Sequence, residues 1–195
     1  MLNFELFLII LVSYLFGSIP FGLLLTKIFL KKDIREIGSG NIGATNVLRS
    51  GNKILGYSTL VLDILKAVLP ILYIKFFMND YLYISALSIF IGHVFPIWLK
   101  FKGGKGVASY LGILCCLDIF TALIFAVVWI SIFVLFKFSS LSSLLASLTI
   151  PIFHFFYNSN SDYYFYFMMF ILIFFTHREN IKRLRNNTES KSKIY

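Results

Sequence analysis

The segment Ile37-Gly38-Ser39-Gly40-Asn41-Ile42-Gly43-Ala44-Thr45-Asn46, with Arg49 one turn later, concentrates small and hydrogen-bonding residues in an otherwise apolar chain. Its three glycines let the backbone turn amides toward one point and let an anion come close, while Ser39, Asn41, Thr45 and Asn46 add donors. The planar fork of Arg49 suits phosphate oxygens. Gly38, Gly40 and Gly43 match the spacing of the dinucleotide fingerprint, but that motif needs a preceding strand and a βαβ unit, and no strand is expected here. What remains is a glycine-rich anion nest, whose bland alternative is a turn with a helix cap.

A second segment reads Gly92-His93-Val94-Phe95-Pro96, then Lys100-Phe101-Lys102-Gly103-Gly104-Lys105-Gly106-Val107-Ala108-Ser109. Amides at the start of the following helix, together with Lys105, make a second anion site, since unpaired N–H groups and the helix dipole both favour negative charge. It is not a Walker loop: Gly106 stands where Ser or Thr would bind magnesium. The alternative is a basic loop that only enforces topology.

Other polar residues lie close to these loops or inside apolar runs. Asp63 and Lys66, at i and i+3, are expected to pair on one helix face and line the site. Gly17-Ser18-Ile19-Pro20 is expected to break its helix and expose carbonyls and a hydroxyl to the interior. Ser139, Ser140, Ser142 and Ser143 either cap a helix or bind substrate. His177, beside Glu179, is positioned to titrate, whereas His154 falls inside an apolar run and reads as an interhelical packing group.

The elements that position these residues are membrane spans. The chain has 195 residues, 58% hydrophobic and 14% charged, with a mean hydropathy of +0.83 that points to a bilayer as solvent. A net charge of +9 lies in short loops between apolar runs, which excludes a nucleic-acid face. Adjacent Cys115 and Cys116 cannot close an ordinary disulfide loop or supply a metal's ligand set. Phe4 to Phe16 lacks the basic start and small-residue cleavage site of a signal peptide and is taken as a retained span.

The expected fold is all-α, a polytopic membrane helix bundle forming one domain over residues 1–195. Spans are placed at Phe4 to Thr26, Ile54 to Phe77, Leu82 to Leu99, Val107 to Leu117, Ile119 to Phe136, Leu141 to Tyr157 and Tyr163 to Thr176. The fourth and fifth are parted only by Asp118, so six spans stay open. Seven spans with the N-terminus outside and the C-terminus cytoplasmic put Lys27, Lys31, Lys32, Arg35, Arg49, Lys53, Lys100, Lys102, Lys105, Lys137 and the basic tail on one side. Glu5, Asp80, Asp118 and Asp162 fall on the other, where Lys75 can snorkel.

Phe16-Gly17-Ser18-Ile19-Pro20-Phe21-Gly22, the Gly38 to Asn46 loop, Gly92-His93 with Pro96, Phe101-Lys102-Gly103-Gly104-Lys105-Gly106-Val107-Ala108 and His177-Arg178-Glu179-Asn180-Ile181 occur in this order along almost the whole chain. Together they resemble the bacterial acyl-phosphate:glycerol-3-phosphate acyltransferase family. The resemblance implies a multi-pass enzyme of the bacterial cytoplasmic (inner) membrane, its active site facing the cytoplasm, with acyl phosphate, glycerol 3-phosphate and membrane lipids as partners. It implies transfer of a fatty acyl group to the 1-hydroxyl, giving lysophosphatidic acid, with no cofactor, no metal and no obligate protein partner. The His-x4-Asp pair of other glycerolipid acyltransferases is missing, because Trp98, Ser159 and Lys182 follow the three histidines at that spacing.

Carried over, the family's loops place Ser39, Gly40, Asn41, Thr45, Asn46 and Arg49 around one phosphate, with Lys105, Ser143, His177 and Asn180 completing the site. Arg49, Lys105, His177 and Ser143 take the catalytic roles, and either Ser143 or Ser140 holds the serine position. The proton of the attacking hydroxyl goes either to the departing phosphate or to His177. A membrane transporter of phosphate esters is the alternative function.

Overall fold

The computed structural model describes residues 2–157 and 163–192, all helix, turn and loop, with no strand among them. Asp162, assigned above to the outer side, lies outside the described residues. The chain divides into two compact units, Met1–Leu117 and Asp118–Tyr195.

In the first unit, α1 (Leu2–Gly17) is followed by the short α2 (Phe21–Leu25) and a wide-turned π segment, Thr26–Leu30. The break falls at the expected Gly17-Ser18-Ile19-Pro20: Pro20 has no N–H to continue the ladder and precedes the first residue of α2. A 3-10 turn, Ile34–Glu36, leads through the first glycine loop into α3 (Ala44–Arg49), and α4 follows as Lys53–Phe77. Then come α5 (Leu82–Val94), a 3-10 turn at Ile97–Leu99, the second glycine loop and α6 (Val107–Leu117). Helices α1 and α5 pack backbone to backbone, because a Cβ at Gly17 would overlap the Ile89 carbonyl and one at Gly92 the Tyr14 carbonyl.

The second unit holds α7 (Ile119–Phe136), α8 (Ser139–Tyr157), α9 (Tyr163–Thr176) and α10 (Arg178–Arg185). Asp118 caps α7 by accepting from the amides of Phe120 and Thr121 at 3.1 and 2.9 Å, so α6 and α7 are separate helices. His154 is buried and interhelical as expected, 2.9 Å from the Thr121 hydroxyl and stacked on Tyr166.

Among the described residues, four segments are long and apolar enough to cross a bilayer: Phe4–Leu30, Asn79–Leu99, Ile119–Phe136 and Ser139–Tyr157. Val107–Leu117 and Tyr163–Thr176 are shorter apolar helices. Helix α4 carries Asp63 and Lys66 in its middle, both buried, yet at 25 residues it is long enough to span at about 1.5 Å per residue. Ile119, Leu123, Val127, Ile130 and Val134 of α7 are all more than half exposed, an arrangement that only lipid rewards. Lys75 lies near the end of α4 and donates to the Cys116 carbonyl at 2.6 Å, a favourable place for a cation at the C-terminal end of α6.

Candidate functional site

The first glycine loop is organised by Asn46. Its carboxamide is buried, donates to the carbonyls of Ile34, Ile37 and Asn41 at 3.0, 2.8 and 2.8 Å, and accepts from the Ser39 amide at 2.9 Å. The Gly40 amide closes a turn onto the Ile37 carbonyl at 3.0 Å. The Ser39 and Gly40 amides and the Asn46 carboxamide are thus spent within the loop, because polar backbone over an apolar floor must be satisfied. That floor is a cluster of Leu23, Ile34, Ile42, Val47 and Leu55.

Gly38 has φ +57, and a Cβ there would overlap Asn46 Oδ1 and sit 3.3 Å from Cδ of Arg49. The half-buried Arg49, at the end of α3, therefore lies with its stem against the turn. Ser39 and Gly40 are exposed at the loop's tip, while Asn41 and Thr45 are half-buried. At the loop's entry, Arg35 grips Asp33 with two hydrogen bonds of 2.9 and 2.6 Å, which hold the Asp33 carboxyl well below the usual carboxylate range.

The two loops share one cavity. A space of about 610 Å³ is lined by Arg35, Gly40 and Ile42 from the first and by Trp98, Leu99, Lys100, Lys102 and Gly103 from the second. Leu99 packs against the apolar floor of the first loop, and the Trp98 indole donates to the Ser18 hydroxyl at 2.8 Å in the break after α1. Lys100, Lys102 and the Asp33-paired Arg35 stand on its rim, with the Gly40 and Gly103 backbone and the side chains of Ile42, Trp98 and Leu99 between them, and such a cationic rim favours anions. The second loop also ties amides inward: Gly103 donates to Val94 O at 2.9 Å and Gly104 to His93 O at 3.0 Å. Lys105 is half-buried where this loop turns into α6.

Asp63 and Lys66 pair as expected, Nζ to Oδ1 at 2.8 Å, and Lys66 also donates to the Ile19 carbonyl at 2.7 Å. His93 joins them, 3.9 Å from Asp63 and 3.2 Å from the Ser109 hydroxyl. The only sign of His93 in the sequence is a histidine one residue past Gly92, the glycine that lets two helices touch.

In the second unit, His177 sits at the N-cap position of α10, buried, with Nδ1 donating to the Ile173 carbonyl at 2.8 Å. In a neutral ring that bond makes Nε2 the basic nitrogen. Asn180 donates to Glu189 at 2.7 Å, and its buried Oδ1 accepts no hydrogen bond among the described residues. Ser140 donates to the same Glu189 oxygen at 2.7 Å, and Arg183 to the other at 2.6 Å. Ser143 instead donates to Ser139 O at 2.9 Å and accepts from Trp129 at 3.1 Å. In the sequence Glu189 is one acid in a tail that reads as basic charge, and no pattern marks it. Burial alone would push its carboxyl up; the hydrogen bonds from Arg183, Ser140 and Asn180 outweigh this and leave it below the ordinary glutamate value.

A family model described as glycerol-3-phosphate acyltransferase matches residues 7–187. A glycerol-3-phosphate acyltransferase of Pelagibacter ubique (strain HTCC1062) is 63% identical over 191 residues, covering 98% of this chain and all of that one. One from Mesorhizobium japonicum is 48% identical over 190 residues, 97% of each chain. Among solved structures, the crystal structure of PlsY (YgiH), an integral membrane glycerol 3-phosphate acyltransferase, in its glycerol 3-phosphate form is 36% identical, covers 96% of this chain and 95% of its own, and superposes with a TM-score of 0.89. Its lysophosphatidic acid form gives 0.86 at the same identity and coverage.

Proposed function

The chain belongs to the glycerol-3-phosphate acyltransferase family, and from that premise we propose that it transfers a fatty acyl group from acyl phosphate to the 1-hydroxyl of glycerol 3-phosphate. The product is lysophosphatidic acid, and the reaction runs at the cytoplasmic face of a bacterial inner membrane. The observation that carries this is the cavity lined by Gly40 and Gly103 and rimmed by Arg35, Lys100 and Lys102, since both substrates bring phosphate to one place. The solved relative in glycerol 3-phosphate and lysophosphatidic acid forms supports acceptor and product.

Acyl phosphate is a mixed anhydride and needs no further activation. The 1-hydroxyl oxygen adds to the acyl carbon, an ester C–O bond forms, the C–O bond to phosphate breaks, and inorganic phosphate leaves with the hydroxyl proton. The protein's share is then to align two anions and neutralise charge that builds on the acyl oxygen and the departing phosphate. We assign Arg49 and Lys105 to that charge, Ser39, Gly40, Asn41 and Thr45 to substrate contact, and Ser143, His177 and Asn180 of the second unit to the same reaction. Asn46 is assigned to shape the loop, on the four hydrogen bonds it makes there. His177 Nε2 is the competing proton acceptor. Seven spans with the N-terminus outside fit the gathering of loop Lys and Arg on one side.

Purified protein in vesicles, given radiolabelled glycerol 3-phosphate and an acyl phosphate, is expected to form labelled lysophosphatidic acid. Uptake of label without product would instead make it a carrier.

A further inference from the structure

Beneath the second glycine loop lies a set of buried polar groups that the transfer step does not use. Asp63 and Lys66 are on α4, His93 on α5 and Ser109 on α6, each no more than 4% exposed. Ser109 is the joint: its hydroxyl donates to the Asp63 carbonyl at 3.3 Å and meets His93 Nδ1 at 3.2 Å, so one side chain ties three helices. With the hydroxyl hydrogen on that carbonyl, His93 Nδ1 is the donor to Ser109. Lys66 extends the network to the break after α1, bridging Asp63 and the Ile19 carbonyl.

The imidazole is also the floor of the loop. A Cβ at Gly104 would overlap the His93 ring at Nε2, so the Gly104 backbone rests directly on it. The Gly103 and Gly104 amides are pinned to the main chain of Val94 and His93. Where His93 goes, the loop goes, and with it Gly103 at the cavity wall and Lys105 at the start of α6.

We propose that the Asp63–Lys66–His93–Ser109 network is a positioning device, in which the His93 ring sets the height and orientation of the Gly103–Lys105 turn against the bound phosphate group. It rests on the acyl transfer proposed above. None of the four touches substrate; they act through the loop. Buried polar groups joined across three helices favour the one arrangement in which the Asp63–Lys66 ion pair and the Ser109 contacts form together, and an anion grip needs its supporting groups fixed in that way.

The test is steady-state kinetics of the full-length protein in detergent, varying acyl phosphate and glycerol 3-phosphate separately. His93→Ala is expected to raise KM at least about fivefold for one of the two substrates, with the other KM within twofold and kcat within about threefold. His93→Asn, which restores a polar group near the Nδ1 position but not the ring under Gly104, is expected to reverse the rise in KM only in part. Ser109→Ala, a change too small to empty the core, is expected to raise the same KM about threefold, and it decides the matter if His93→Ala does not accumulate. A lower kcat with both KM values unchanged, or equal increases in both, in whichever variant accumulates, would reduce the network to a structural core and overturn the proposal. If the unmodified protein forms no product, the acyl transfer itself fails.

Discussion

The stretch at Gly38 is closed from within, by one Asn46 carboxamide reaching Ile34, Ile37, Ser39 and Asn41, none more than 12 positions away. The stretch at Gly103 is closed from outside, by the main chain of α5 and by buried groups on α4 and α6 that reach as far as Ile19. Glycine supplies the backbone turn in both, but rigidity has a different source in each. A local latch can be lost without disturbing the helices, whereas a long-range latch is part of what holds the helices together.

Lys66→Met separates the two cases most sharply. It strips the buried Asp63 carboxyl of its 2.8 Å partner, for a loss of about 3 to 5 kcal/mol in detergent unfolding. A loss below about 1 kcal/mol would mean that the pair is not part of the helix packing. Asn46→Ala is expected to cost about 1 to 3 kcal/mol, by removing the hydrogen bonds to three carbonyls and leaving the Asn41 carbonyl and the Ser39 amide without that partner. Because those contacts are local, its signature is faster proteolysis and hydrogen exchange confined to residues 34–46, with α4 and α5 protected as before. Exchange spread evenly over the unit would mean that the Asn46 latch is not local.

The second unit supplies a milder third latch, in which Glu189 binds Ser140, Asn180 and Arg183 and brings the tail back onto α8 and α10. Its folded carboxyl is held below the usual value, so it binds protons less readily than the unfolded chain does. The stabilisation is therefore complete above the unfolded value of about 4.3 and is lost as pH falls through the folded one. Tail protection measured by hydrogen exchange should drop below about pH 4 in the native protein. In Glu189→Gln it should be weaker at neutral pH and flat across that range.

How much of this the sequence displayed follows the same division between local and distant. Apolar runs, the break at Pro20 and the Asp63–Lys66 pairing at i and i+3 depend on neighbours in the chain and were legible. The meeting of His93, Ser109 and Asp63 depends on three helices arriving together, and no spacing encodes it. Asn46 was legible as a hydrogen-bonding residue, but whether its amide faces an anion or the loop's own carbonyls is decided by the apolar floor of Leu23, Val47 and Leu55. Glycines at 38, 40, 103 and 104 announced turns; that Ser39, Gly40, Gly103 and Gly104 tie their amides inward emerged only from the structure. Four serines within five positions cannot be ranked by pattern, and their partners differ: Glu189 for Ser140, Trp129 and Ser139 for Ser143.

Differently latched, the two loops are held to grip anions jointly, and a double-mutant cycle between Arg49 and Lys105 tests that most directly. Arg49→Ala and Lys105→Ala should each lower kcat/KM about 10²-fold or more, and the double variant should lose at least about 1 kcal/mol less than the sum of the two. Losses that add to within about 0.5 kcal/mol would mean that Arg49 and Lys105 act on separate events and that the two loops do not grip anions jointly.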